Sequence, residues 1–186
     1  MKSTIRKSTY AAIYRLLDRV SPLQGDCGVL CGRACCDCDN LPDIDKDAEY
    51  GIYLLPGEDK LFTRQEDWLT WNIDSAEKYG FPPSWHGQVY FVQCKTPPIC
   101  VRKMRPLQCR TFPLTPHITA RGHFHLIWNT DKLPYACPLV TTRTPLEESF
   151  IQATYTVWKR LLTDPLIYDL VKMDALYRGD DVVVVR

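Results

Sequence analysis

The sequence predicts a single small α+β domain with substantial irregular loop structure, organised around a metal centre held by cysteines. Three observations lead to this prediction. The chain has 186 residues, the length of one ordinary domain. Its apolar residues recur with both helical and strand periods in different segments. Its nine cysteines fall largely in stretches that have neither period, so something other than an apolar stripe must order those stretches.

Helical spacing and proline placement predict four helices. They lie at residues 5–20, 66–79, 145–162 and 165–177. The first is amphipathic and ends before Ser21 and Pro22. The last two each have a proline near the first turn, where the missing N–H removes no hydrogen bond.

Strands are predicted where β-branched and aromatic residues meet turn signals. They lie at residues 51–55, 60–63, 88–93 and 123–128, with a further strand in the four valines of 182–185. Residues 25–40 and 96–116 are predicted to be irregular. The expected organisation is an N-terminal helix at 1–24, a cysteine-cluster metal-binding core at 25–140, and C-terminal helices and tail at 141–186, all packed as one domain.

The charge balance gives no sign of a nucleic-acid partner. Lysine and arginine number 23 against 22 acidic residues, so the net charge is +1. No run of about 18 apolar residues is present to span a bilayer, and Arg15 and Asp18 interrupt the N-terminal apolar stretch that a signal peptide would need. We therefore expect a cytoplasmic protein without a membrane span, whose protein or redox partner is unknown.

Five cysteines lie close together in the first half of the chain. They are Cys27, Cys31, Cys35, Cys36 and Cys38. Cytoplasmic thiols stay reduced, so metal ligation explains this density better than disulfides do. Buried cysteines that act as small apolar residues would explain one or two of them. Gly28 and Gly32 allow the tight backbone wrapping that converging ligands require.

A second set of cysteines is spread over a longer segment, so the fold has to bring them together. The set is Cys94, Cys100, Cys109 and Cys137. Cys109 lies in the string RPLQCRTFPL at 105–114. Cys137 precedes Pro138, a context also found at the last cysteine of bacterial ferredoxin motifs.

At these residues the chain resembles the YkgJ-type cysteine-cluster family, described as zinc- or iron-chelating domains with a CxxCxxCC signature. The resemblance covers residues 26–139, although each gap before Cys35 is one residue longer here and the segment 100–105 is shorter and lacks a tyrosine. It implies metal ligands first at Cys35, Cys36, Cys109 and Cys137, next at Cys27, Cys31 and Cys100, and last at Cys94. Cys38 has no counterpart in the family.

Eight cysteines are thus candidate ligands, enough for two four-ligand sites or for one site with structural cysteines beside it. Zinc and iron–sulfur clusters both accept four cysteines. The paired knuckles of structural zinc sites are absent, and the adjacent Cys35 and Cys36 are poorly placed to share one ion. A 4Fe–4S cluster is therefore favoured over Zn²⁺. With thiols so abundant, the four histidines are left out of the predicted site.

Arg105 and Arg110 flank Cys109 and are predicted to offset the negative charge of metal-bound thiolates. The alternative is an anion or substrate subsite. Charge compensation predicts that glutamine at either position weakens metal retention and that lysine partly restores it, because a point charge suffices for screening.

Three classes of function remain open. The first is an iron–sulfur protein for electron transfer, redox sensing or cluster handling, and the second is a zinc-stabilised interaction module. The third is an enzyme, because the resemblance extends to flagellin lysine-N-methylases, which are similar in carrying this cysteine cluster. No nucleotide-binding glycine motif, HExxH or GxSxG is present, and no S-adenosylmethionine site can be identified.

Overall fold

The structure is a computed structural model that describes residues 1–35, 50–95, 103 and 105–186. It contains both helices and antiparallel strands, which confirms the α+β prediction. The helices are α1 (Lys7–Leu17), α2 (Leu107–Thr111), α3 (Pro138–Thr141), α4 (Glu148–Leu161) and α5 (Pro165–Arg178). The strands are β1 (Ile52–Tyr53), β2 (Leu69–Ser75), β3 (Gln88–Cys94), β4 (Leu114–Ile118) and β5 (Phe124–Trp128).

The strands form two antiparallel sheets. The first has the order β1-β3-β2, and its longest ladder runs from Leu69 opposite Cys94 to Ser75 opposite Gln88. The second pairs β4 with β5. The C-terminal tail lies along β5, where Val184 forms a bridge with Ile127. The predicted terminal strand therefore pairs with the sheet, through backbone hydrogen bonds that join Trp128 to Val183 and Leu126 to Val185 and Arg186.

Local sequence signals located several elements correctly. The helices expected at 5–20, 145–162 and 165–177 are confirmed as α1, α4 and α5. The strands expected at 51–55, 88–93 and 123–128 are confirmed as β1, β3 and β5. Each of these segments carries its own periodic apolar pattern or strong residue preference, so a prediction from neighbouring residues succeeds.

The helix predicted at 66–79 is wrong. This segment forms β2, followed by a short 3₁₀ turn at Ala76–Lys78. Thr70, Trp71 and Ile73 are residue types that favour strands, and the whole of β2 pairs with β3. The ladder with a strand about twenty residues away decides the conformation.

Two further predictions need correction. The strand expected at 60–63 is wrong, since Glu58–Leu61 forms a 3₁₀ turn that follows Gly57, whose φ is 86°. The segment 96–116 was expected to be irregular, yet it contains α2 and the first residues of β4. Residues 96–102 and 104, like 36–49, lie outside the described part of the chain.

The main apolar core lies between α1, α4, α5 and the sheet of β4 and β5. Its buried members include Tyr10, Leu126, Phe150, Leu161 and Ile167. A smaller cluster packs on the first sheet and a third surrounds Trp85, whose indole N–H donates a 2.9 Å hydrogen bond to the carbonyl of Leu166 at the start of α5. None of the helices in the described ranges is long and apolar enough to cross a bilayer.

Candidate metal centre

The first cysteine segment is a short loop closed by Asp26. The Asp26 carboxylate accepts a 3.0 Å hydrogen bond from the backbone N–H of Gly28 and pairs with the Arg33 guanidinium, also at 3.0 Å. These contacts, together with the charge of Arg105, hold the pKa of Asp26 below its usual value. Cys27 begins a 3₁₀ turn, Cys27–Leu30, inside this closed loop.

Glycines shape this loop as the sequence predicted. Gly32 has a φ of 59°, in the left-handed region that glycine adopts without strain. Gly28 is buried, and a Cβ added there would come within 2.6 Å of the Arg33 side chain. Cys27 and Cys31 are half-buried and Cys35 is exposed, so this loop presents its thiols at or near the surface.

Cys94 is the last residue of β3, which places it at one end of the first sheet. It lies opposite Leu69, and Lys95 continues the pairing with a 2.8 Å hydrogen bond to the carbonyl of Trp68. The side-chain amide of Gln108 donates a 2.7 Å hydrogen bond to the carbonyl of Tyr53, in the neighbouring strand β1. This sheet is thereby tied to α2, the helix that carries Cys109.

Cys109 is half-buried in the middle of α2, a helix of five residues. The backbone N–H of Leu107, the first residue of α2, donates a 2.7 Å hydrogen bond to the buried carboxylate of Glu58. The Leu107 side chain is fully buried in the main core. Cys109 therefore lies on a helix whose first residue is fixed by both a hydrogen bond and apolar packing.

Arg110, the next residue, is buried and donates hydrogen bonds to three acceptors. Its guanidinium donates to the Asp18 carboxylate at 2.5 Å, to the carbonyl of Arg105 at 2.6 Å and to the carbonyl of Lys103. It also lies over the Tyr14 ring, 4.1 Å from the ring centroid. Arg110 thus has a structural role in joining α1 to the segment before α2. Its predicted effect on thiolate charge stays a prediction.

Cys137 is buried and immediately precedes α3. Its carbonyl accepts a 2.9 Å hydrogen bond from the backbone N–H of Thr141. Two residues earlier, the Tyr135 ring meets the ring of Phe112 with a centroid distance of 6.5 Å. Because Phe112 directly follows α2, this aromatic contact links the Cys109 and Cys137 segments.

The first loop is linked to the same region. The Arg105 guanidinium is close enough to Asp26 to contribute to lowering its pKa, after the Gly28 N–H and Arg33. At the entry to the loop, the carbonyl of Pro22 accepts a 3.0 Å hydrogen bond from the N–H of Glu147, the residue just before α4. The first loop is therefore linked to the Cys109 segment by the charge of Arg105 and to the start of α4 by one backbone hydrogen bond.

These contacts bring segments together, but they do not complete a ligand set. Within residues 1–35, 50–95, 103 and 105–186, no three side chains of His, Cys, Asp or Glu are grouped so that they could hold a metal. Two predicted ligands, Cys36 and Cys100, lie outside this part of the chain, as does Cys38. A complete set would have to draw on those residues.

Sequence reasoning missed the polar network beneath α2. Glu58, Tyr14 and Asp18 all contact α2 or Arg110, and none of them stands in a motif. Glu58 follows Pro56 and Gly57, a context that normally marks an exposed turn. Only the spacing of Tyr10 and Tyr14 along α1 predicts which helix face meets this network.

The histidines lie elsewhere in the fold. His117 is 1% exposed in β4, and neither ring nitrogen has a hydrogen-bond partner among the described residues. The nearest carboxylate oxygen, from Asp180, is 3.7 Å away from Nε2. Burial, followed by the charge of Arg178, lowers the pKa of His117, so the ring is neutral at physiological pH.

Comparisons with protein-family models, with curated proteins and with solved structures found no match to this chain. The resemblance to the YkgJ-type family therefore stays a prediction based on the cysteine, arginine and proline motifs.

Proposed function

We propose that this chain binds a metal through its clustered cysteines, and that the centre is a 4Fe–4S cluster used in electron transfer, redox sensing or cluster handling. The observation that supports the proposal is the linkage of thiol-bearing segments far apart in sequence. The charge of Arg105 acts on Asp26 beside Cys27, and the Phe112 ring meets the Tyr135 ring two residues before Cys137. A multi-cysteine centre requires such convergence.

Thiolate ligands also need protection and charge compensation. Cys137 is 7% exposed and Cys109 is half-buried, so a centre that used both would be partly shielded from water. Solvent exposure and nearby charge are two of the factors that set the potential of an iron–sulfur cluster. Arg105, close to Asp26 and four residues from Cys109, supplies a cation near the first loop.

The deciding experiment is metal analysis of protein purified without oxygen. We expect iron and acid-labile sulfide in equal amounts, with an absorption band near ~400 nm that fades on addition of dithionite. Colourless protein with stoichiometric zinc would replace the cluster with Zn²⁺ and favour the zinc-stabilised interaction module. Protein with neither iron nor zinc would overturn the proposal.

Serine variants separate ligands from other cysteines. Cys109→Ser and Cys137→Ser should each lose most of the bound metal, because a serine hydroxyl is a poor substitute for a thiolate ligand. Cys38→Ser is the matched control, since Cys38 has no counterpart in the family motif and should retain full metal content. A Cys109→Ser protein with full metal content and an unchanged melting temperature would show that Cys109 is not a ligand.

Metal removal should also destabilise the protein. The segment around Cys27 leaves Val29 and Leu30 exposed, and α2 has only five residues, so the metal would supply part of the free energy that orders both. A chelator should lower the melting temperature and increase hydrogen exchange in residues 25–35 and 105–111 together. Exchange in α4 and α5 should stay slow.

A further inference from the structure

We propose that Glu58 is a positioning residue for Cys109, which it places by holding the first turn of α2 against α1. The proposal rests on the proposed function only in taking Cys109 as a metal ligand. Glu58 is distant from Cys109 in sequence, and nothing in its own surroundings along the chain suggests this role.

Three donors from three different segments converge on the Glu58 carboxylate. Oε1 accepts hydrogen bonds from the Tyr14 hydroxyl of α1 at 2.5 Å and from the Leu107 N–H of α2 at 2.7 Å. Oε2 accepts a 2.9 Å hydrogen bond from the N–H of Leu55. One side chain thus joins α1, α2 and the 55–58 turn.

The environment of this carboxylate makes its contacts necessary. Glu58 is fully buried, and a buried carboxylate is costly unless hydrogen bonds satisfy it. Burial raises the pKa of Glu58, while the donors from Tyr14, Leu107 and Leu55 oppose that rise. Glutamine at this position would keep one carbonyl oxygen and replace the other carboxylate oxygen with an NH2 donor, so the buried N–H groups of Leu55 and Leu107 could not both keep an acceptor.

The helix that Glu58 holds has little stability of its own. It has five residues, and Pro106 at its N-terminus provides no side-chain cap. Isolated helices of this length do not persist in water. The Glu58 carboxylate accepts a hydrogen bond from the first N–H of α2, at Leu107, and the Arg110 guanidinium donates to the carbonyl of Arg105 before the helix. Leu107 and Arg110 stand on either side of Cys109 in the sequence.

Asp164 provides a matched control within the same chain. It is also fully buried, and it accepts hydrogen bonds from Ser3, Thr4, Leu166 and Ile167. It caps α5 and not a cysteine-bearing helix. Glu58→Gln and Asp164→Asn therefore remove the same chemical feature from two buried sites, of which only one supports a predicted ligand.

The first measurement is the rate at which a chelator removes metal from each protein. Glu58→Gln should accelerate release about tenfold, as loss of an outer-shell partner of a metal site does. Asp164→Asn should stay within about twofold of the original protein, even where its loss of stability is equal or larger. Equal acceleration in both variants, or none in Glu58→Gln, would overturn the positioning role.

The second measurement does not depend on metal. In metal-free protein, Glu58→Gln should increase the alkylation rate of Cys109, located by peptide mass spectrometry, by about threefold or more, because α2 opens more often. Asp164→Asn should leave that rate unchanged. If the original protein proves to contain no metal, the proposed function fails, while this arm still decides the role of Glu58.

Tyr14→Phe covers the case in which Glu58→Gln does not fold. It removes one of the three donors and keeps the carboxylate, so it should increase Cys109 alkylation in the same direction by a smaller factor. An alkylation rate equal to that of the original protein in both Tyr14→Phe and Glu58→Gln would reject the proposal.

Discussion

The helix-rich body and the cysteine-bearing region of this protein are held together in different ways. The body packs α1, α4 and α5 on β4 and β5 through one continuous apolar cluster. The cysteine-bearing region, comprising the loop around Cys27 and the segments around Cys109 and Cys137, relies on directional contacts such as Arg110 with Asp18. Apolar packing stabilises the body without any ligand, whereas the directional contacts mainly determine where the cysteines lie.

The directional contacts differ in how deeply they are buried and in how many acceptors each arginine has. The Arg33–Asp26 pair is exposed on both sides, at 41% and 35%, and such pairs contribute at most about 1 kcal/mol. The Arg110 side chain is 4% exposed and has three acceptors. The same kind of substitution should therefore have very different effects at the two arginines.

The largest expected effect is in the body. Leu161→Ala removes a fully buried side chain of α4 and should lower the free energy of unfolding by roughly 3 kcal/mol, measured by urea denaturation. Metal content per folded molecule should not change. Leu176→Ala, at a position 73% exposed on α5, is the control and should stay within about 0.5 kcal/mol. A loss of metal in folded Leu161→Ala would contradict the division into two regions.

Arg110→Lys should lower the free energy of unfolding by about 2 kcal/mol. An ammonium group cannot reproduce the planar fork that reaches three acceptors, so Asp18 would lose its partner. Arg33→Lys should lower the free energy of unfolding by less than about 0.5 kcal/mol. Comparing metal retention in Arg110→Lys and Arg110→Gln then tests charge screening separately. Recovery with lysine alone would support screening, and unchanged stability in Arg110→Lys would contradict the structural role.

The buried His117 predicts a pH dependence that belongs to the body. Its folded-state pKa lies below the unfolded value of about 6.5. The unfolded chain therefore binds a proton that the folded chain does not, so stability is present above pH ~6.5 and is lost as the pH falls below it. We expect the free energy of unfolding to decrease as the pH is lowered from ~6.5.

Denaturant midpoints at several pH values measure this dependence. His117→Leu should flatten it, whereas His86→Gln should not, because His86 is 76% exposed. A dependence that persists in His117→Leu would mean that another group causes it.

The smallest expected effect is at the C-terminal tail. Val185 packs partly against the main core and Val184 is 51% exposed. Val185→Ala should therefore lower the free energy of unfolding by roughly 0.5–1 kcal/mol, and Val184→Ala should leave it almost unchanged. Thermal melts of the two variants side by side make the comparison, and equal effects would argue against packing of the Val185 side chain on the main core.

In the body, a large part of the fold could be predicted. The apolar residues of α1, α4 and α5 repeat at helical spacing, and β5 is a run of strand-forming residues. Such signals are carried by neighbouring residues and do not depend on distant partners. In the cysteine-bearing region, the residue types indicated candidate ligands, but α2 is too short to show a period.

By itself, the sequence determined the α+β class, the long helices and the identity of the candidate thiol ligands. Only the tertiary structure decided that 69–75 is a strand, that Glu58 is buried beneath α2, and that Arg110 pairs with Asp18 across 92 residues of chain. The physical reason is the range of the interactions. Helical periodicity depends on residues a few positions apart, whereas a ladder, a buried carboxylate and an ion pair depend on which distant segments pack together.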